Sequence, residues 1–205
     1  MHKFSRGESP IDLTKAKKKF HNQWDKTFIG SAEHAALSEF LYACQSHYCA
    51  YCEIKINKPS DGFIEHLERR SDNPERTFDW TNMFFSCNHS DSCGIFKDNS
   101  KPKMDFSLND IIDPSTVDPQ DFFAYDSEGN ILPKNSNYTQ QVNETIRIFN
   151  LKNSRLINIR KNIASTVAFF LEGNPSEDDI NEFLLQISNK DCPSVYYYLL
   201  KRKMP

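Results

Sequence analysis

Two cysteine pairs constrain this chain more than any other feature. Cys49 and Cys52 form a C-x2-C knuckle, Cys87 and Cys93 form a wider C-x5-C pair, and 34 residues lie between the pairs. A structural Zn2+ takes four thiolates in a tetrahedral shell from pairs of this kind, usually with two to four residues inside each pair. The four sulfurs are therefore candidate ligands of one zinc, set against the alternative of four unpaired thiols. Cys44 and Cys192 lie on apolar segments and read as buried thiols. The stretch between the pairs is short, polar and turn-rich. A bound metal would supply folding free energy that so little apolar area does not.

The rest of the composition sets bounds. At 205 residues, 38% hydrophobic and 26% charged, the chain can bury one core. A net charge of -3 gives no global basic field. Short basic runs do occur, "KAKKKF" at 15–20 and "KRKMP" at 201–205, whereas 105–132 is rich in aspartate and has no Lys or Arg. Such runs are solvated surface or phosphate contacts. No apolar leader and no run near ~18 apolar residues is present, so a cytoplasmic protein without a membrane span is expected. In that compartment six cysteines argue for metal or free thiols rather than disulfides.

Residues 11–48 carry a helical pattern, with Leu37, Phe40, Leu41 and Cys44 on one face. "YCAYCEIKINKPSDGFIEHL" breaks into extended pieces around a Pro-Ser-Asp-Gly turn, "TFDWTNMFFSC" is a second strand, and "CGIFKDNS" starts a short helix. "FFAYDSEGNILPK" reads as a hairpin. Residues 139–171 read as helix with Val142, Ile146, Phe149, Leu156, Ile159, Ile163 and Val167 inside, and Ser176 with Asp179 forms a capping box for the next helix. The expected fold class is α+β: a Cys-rich centre over 49–100, between a helical segment 1–48 and a loop, hairpin and mostly helical region 101–205.

Inside the cysteine frame lie Glu65-His66, then Asn82, and after the last cysteine Lys97 and Asp98. This order resembles the HNH endonucleases, whose core is a zinc-stabilised ββα-metal fold. The resemblance implies His66 as general base, Asn82 orienting its ring, and Glu65 as ligand of a catalytic Mg2+ or Mn2+ that stabilises the scissile phosphate. An imidazole suits the base role because its ordinary pKa lies near cellular pH, and hard divalent ions suit carboxylates. The family's second ligand follows the last cysteine directly, where this chain has Gly94. Asp98 shares a helical face with that position and is the expected replacement, with His89 and Asp91 as competitors. Arg69, Arg70 and Lys97 are candidate nucleic-acid contacts, or simply solvated charge.

The likeness extends further. "SHYCAYCE", "EHLERR", "FDWTNMFFSC", "CGIFKD" and "ETIRIFNLKNSRLINIRKN" together resemble the HNH subunit of Septu and retron antiphage systems, the PtuB type, over about residues 10–165. The family has Phe and Pro-Lys after its Glu-His, where this chain has "LERR". The resemblance implies an ABC-type ATPase partner of the PtuA type and, in retrons, the reverse transcriptase with its DNA and RNA. This chain has no Walker A sequence. The expected function is therefore a nuclease on DNA or RNA, acting as effector of a defence complex. The alternative is a non-catalytic zinc module that binds nucleic acid or scaffolds a complex.

Overall fold

Asp12 and Ser31 start the two N-terminal helices by accepting backbone N–H groups, from Lys15 at 2.9 Å and from His34 at 3.1 Å. These helices are α1 (Leu13–Lys19) and α2 (Ala32–Cys44), in a computed structural model that describes residues 1–202. Left-handed His21 and Asn22 (φ 51° and 56°) follow α1, and a π-helical turn, Trp24–Phe28, precedes α2. The helical stretch expected over 11–48 is thus interrupted. The interruption allows Trp24 and Phe28 to join Leu37 and Leu41 in the core.

Two strands, β1 (Gly62–His66) and β2 (Met83–Cys87), pair antiparallel with Glu65 opposite Phe84 and His66 opposite Met83. Every residue of β2 is buried. Its other edge is not left open, because the Gln45 side chain after α2 accepts from Phe85 N and donates to Phe85 O, both at 2.8 Å. Ala50 N donates to the same carbonyl at 3.1 Å. The chain then enters α3 (Cys93–Asn99) through Cys93 in a left-handed conformation, φ 60°.

The expected hairpin is present as β3 (Phe123–Tyr125) paired with β4 (Ile131–Pro133). Asp126 organises its turn by accepting from Glu128 N and Asn130 N, each at 2.9 Å. The helix expected over 139–171 is two helices, α4 (Thr139–Ile148) and α5 (Ser154–Glu172). Asn150, left-handed at φ 46°, terminates the first, and Asn153 caps the second by accepting from Leu156 N at 3.0 Å. Next comes α6 (Glu177–Ile187), opened by the expected Ser176–Asp179 capping box, and then α7 (Pro193–Lys201). Of the basic C-terminal run, Lys201 and Arg202 are described, and 203–205 lie outside the described residues.

One hydrophobic core draws on all three expected segments. Phe4 packs edge-on against Phe84, and Tyr51 stacks on Phe149 with ring centroids 3.8 Å apart. The centre expected to lack apolar support is therefore packed between its flanks, and metal is not its only source of order. Among the described residues no helix is long and apolar enough to cross a membrane.

Candidate metal centre and histidine cleft

The turn after α2 makes a tight knuckle. Cys49 N donates to Ile54 O at 3.0 Å and Glu53 N to Cys49 O at 3.2 Å, with Glu53 left-handed at φ 58°. Cys87 ends β2 and Cys93 begins α3. The four sulfurs lie within 4.8 Å of one another and are buried, so the cluster is able to chelate a metal ion. A set of four soft sulfur donors in a closed shell fits a structural ion. Burial opposes ionisation of Cys49, but hydrogen bonds from Cys52, Cys87 and Cys93 outweigh it and hold its thiol well below the ordinary value. Burial pushes Cys52 and Cys93 up.

The wide C-x5-C spacing is accommodated from outside the loop. Arg155 of α5 donates to Asp91 Oδ1 at 3.0 Å and to Ser92 Oγ at 2.8 Å. Asn150 holds Asp91 O at 2.8 Å, and Cys93 N donates to Phe149 O at 2.9 Å. On the far side, Cys192 N donates to Glu53 O at 2.8 Å and its thiol lies 3.2 Å from Cys52 O. Cys192 is buried, as expected, and Cys44 is half-buried.

His66 ends β1 on the wall of an open cleft of about 1030 Å³, which Trp24, Asp25, Lys26, Arg70, Thr77 and Asp98 also line. Its Nε2 lies 2.9 Å from Thr77 O. A carbonyl only accepts, so Nε2 carries the proton and Nδ1 keeps the lone pair. Among the described residues Nδ1 makes no hydrogen bond. The Trp24 ring meets the imidazole edge to face at 4.5 Å. Burial lowers the His66 pKa to about 3, so the ring is neutral at cellular pH.

Asn82 does not orient that ring. Its Oδ1 accepts from Glu68 N at 2.7 Å, and its Nδ2 donates to Glu68 O at 3.0 Å and to Arg76 O at 3.3 Å. It clamps both ends of the 68–76 loop, and the residue after Arg76 supplies the carbonyl that does orient His66.

Glu65 faces away from His66, as alternation along a strand requires. Its Oε2 accepts from the Tyr51 hydroxyl, and its Oε1 lies 2.5 Å from Lys97 Nζ. Burial pushes its carboxyl up, against the pull of Lys97. Lys97 is fully buried, donates to His66 O at 2.5 Å and Leu67 O at 3.0 Å, and lies 3.1 Å from Asp98 Oδ1. Position 94 has no room for a ligand, because a Cβ there would lie 2.3 Å from Glu65 Cγ. Among the described residues, the four cysteines are the one group of three or more metal-ligating side chains within reach of a shared ion. Between Glu65 and Asp98, the acids expected to hold a catalytic Mg2+ or Mn2+, stands the Lys97 ammonium.

Other expected contacts are also reassigned. Lys97 is sealed from solvent. Arg69 lines the cleft but is mostly buried, its guanidinium donating to Lys97 O at 2.6 Å and Met104 O at 2.8 Å. Arg70 stays at the cleft, paired with Asp25 at 2.9 and 3.0 Å. Asp98 lines the cleft, whereas Asp91 is tied to Arg155 and His89 is exposed; neither lines the cleft. Sequence reasoning missed Trp24, Lys26 and Thr77. Trp24, one of two tryptophans, sits in a π-helical turn, which occurs often at functional sites. Thr77 acts through its backbone, which no side chain advertises.

Compared with family models and with curated proteins, the chain matches none. Fold and site define the class by themselves: an α+β protein with an antiparallel strand pair between helical flanks and a four-cysteine cluster able to bind a metal.

Proposed function

We propose that this chain is an HNH-type nuclease in which His66 is the general base toward a phosphodiester held in the cleft. The observation that carries the reading is the His66–Thr77 hydrogen bond, which commits Nε2 as donor and leaves Nδ1 as acceptor on a cleft-lining residue. A neutral imidazole takes the proton of an attacking water, or of a ribose 2′-hydroxyl in RNA. At about 3 its pKa makes it a weak base. A phosphodiester entering the cleft brings negative charge that raises it toward the working range. DNA and RNA both suit this chemistry, which acts at phosphate.

Lys26, Arg70 and Lys103 on the cleft wall are cations placed to meet a nucleic-acid backbone. The basic end of α1 extends that surface, since Lys17 Nζ reaches Glu75 O at 3.4 Å beside the cleft-lining Pro74. Zn2+ on the four cysteines would hold the knuckle, β2 and α3 together and take no part in bond breaking. The resemblance to the PtuB type supports an ABC-type ATPase as partner. Phe169 of α5 and Leu185 of α6, 78% and 75% exposed, are apolar positions for such docking.

A second reading, a non-catalytic zinc module that binds nucleic acid or scaffolds a complex, is favoured by Lys97 standing between the two acids expected to hold a catalytic ion. Cleavage of mixed DNA and RNA pools by zinc-loaded wild type and His66→Ala, with and without Mg2+ or Mn2+, separates the two. The nuclease reading expects His66→Ala to lose about 10²–10⁴-fold in rate with binding retained. Equal cleavage by both proteins rejects His66 as base, and binding without cleavage by wild type favours the module.

A further inference from the structure

The acids expected to bind a catalytic ion already surround a cation. Lys97 Nζ has four oxygens around it: Glu65 Oε1 and His66 O at 2.5 Å, Leu67 O at 3.0 Å and Asp98 Oδ1 at 3.1 Å. Two carboxylates and two backbone carbonyls are hard donors of the kind Ca2+, Mn2+ or Mg2+ select. Arg69 closes the group, with Nε 3.5 Å from Asp98 Oδ1. The local charge then balances, two carboxylates against one ammonium and one guanidinium. A divalent ion added to this set would leave two positive charges uncompensated beside the fully buried Lys97 and Glu65, which is unfavourable.

We propose that Lys97 is the built-in cation of the Glu65–Asp98 site: its ammonium occupies the place of a divalent ion, excludes one, and fixes the end of β1 that carries His66. The positioning follows from its bonds to the carbonyls of His66 and Leu67, which join α3 to the last turn of chain before the cleft. Gly94 belongs to the same arrangement. Its missing side chain leaves the space that Glu65 Cγ occupies, with the carboxylate meeting Lys97 and Tyr51. Lys97 is a positioning residue, since its burial keeps it from any substrate. Its bearing on catalysis rests on the nuclease reading, but metal binding at the site does not, so the two can fail separately.

The test is titration of the zinc-loaded full chain with Ca2+ and with Mn2+, followed by calorimetry and by the Mn2+ electron-spin signal. Wild type is expected to show no saturable binding up to millimolar ion. Lys97→Ala, which leaves the oxygens facing a vacated space, is expected to bind about one equivalent with a Kd of roughly 10⁻⁵–10⁻³ M. Lys97→Ala/Glu65→Gln should lose it again. Stoichiometric binding by wild type that disappears in Glu65→Gln or Asp98→Asn would overturn the proposal, as would a folded Lys97→Ala that binds no ion. If Lys97→Ala does not fold, wild type and Asp98→Asn decide: binding that depends on Asp98 rejects the proposal, and its absence in wild type upholds it.

Discussion

His66 is the residue at which burial and chemistry oppose each other most. Its pKa falls from 6.5 to about 3 because burial penalises the imidazolium. The unfolded chain therefore takes up this proton first. The stability that the neutral ring contributes is complete above pH 6.5 and is lost as pH falls toward about 3, by about 1.4 kcal/mol per pH unit. Urea midpoints at pH 7, 5 and 4 should drop more steeply for wild type than for His66→Gln, and identical slopes would refute the assignment. Gly94 makes the complementary case. Gly94→Asn forces its Cβ into Glu65 Cγ. Overpacking of this kind costs about 1–3 kcal/mol. Thermal melting should show a lower midpoint for the variant, and an unchanged one would mean that Glu65 moves freely.

At the scale of elements, a strand pair this short holds its place through what covers its edges. Gln45 supplies a donor and an acceptor to Phe85 from the end of α2, standing in for a third strand. Gln45→Ala leaves the buried Phe85 N–H unpaired, at about 1–3 kcal/mol, while Phe85 O keeps the bond from Ala50 N. We expect a urea midpoint well below wild type with the denaturant slope unchanged, and a variant as stable as wild type would show that water replaces the amide. The break between α4 and α5 is equally specific. Left-handed Asn150 and the Asn153 cap stop one helix and start the next, which frees Phe149 to stack on Tyr51 and to accept from Cys93 N. The interruption links the C-terminal helices to the four-cysteine cluster.

Across the whole molecule, the four-cysteine cluster is a junction. Its ligands come from the knuckle, β2 and α3, and their immediate neighbours bond to α4, α5 and the entry to α7. Stripping the metal should therefore lower the midpoint of one cooperative transition rather than loosen a separate lobe. A structural ion contributes several kcal/mol, so a fall of at least about 10 °C is expected in calorimetry of chelated against zinc-loaded protein. Cys52→Ser should melt like the chelated form. A midpoint indifferent to chelation would remove the structural role of the metal.

The four clustered cysteines, the strand pair, the hairpin around Asp126 and the Ser176 cap were legible in the sequence because each is written locally: a thiol spacing, an apolar run, a turn residue, a capping pair. The strand that carries Glu65 and His66 was legible in the same way. Tertiary structure alone decided what those two residues meet. The carbonyl that orients His66 comes from Thr77, Trp24 reaches the ring from the N-terminal segment, and Lys97 takes the place expected for a metal ion between Glu65 and Asp98. Spacing reports which side chains a chain owns and which way a strand turns them. Which backbone carbonyl or buried ammonium arrives opposite depends on how distant segments pack, and no local pattern encodes that.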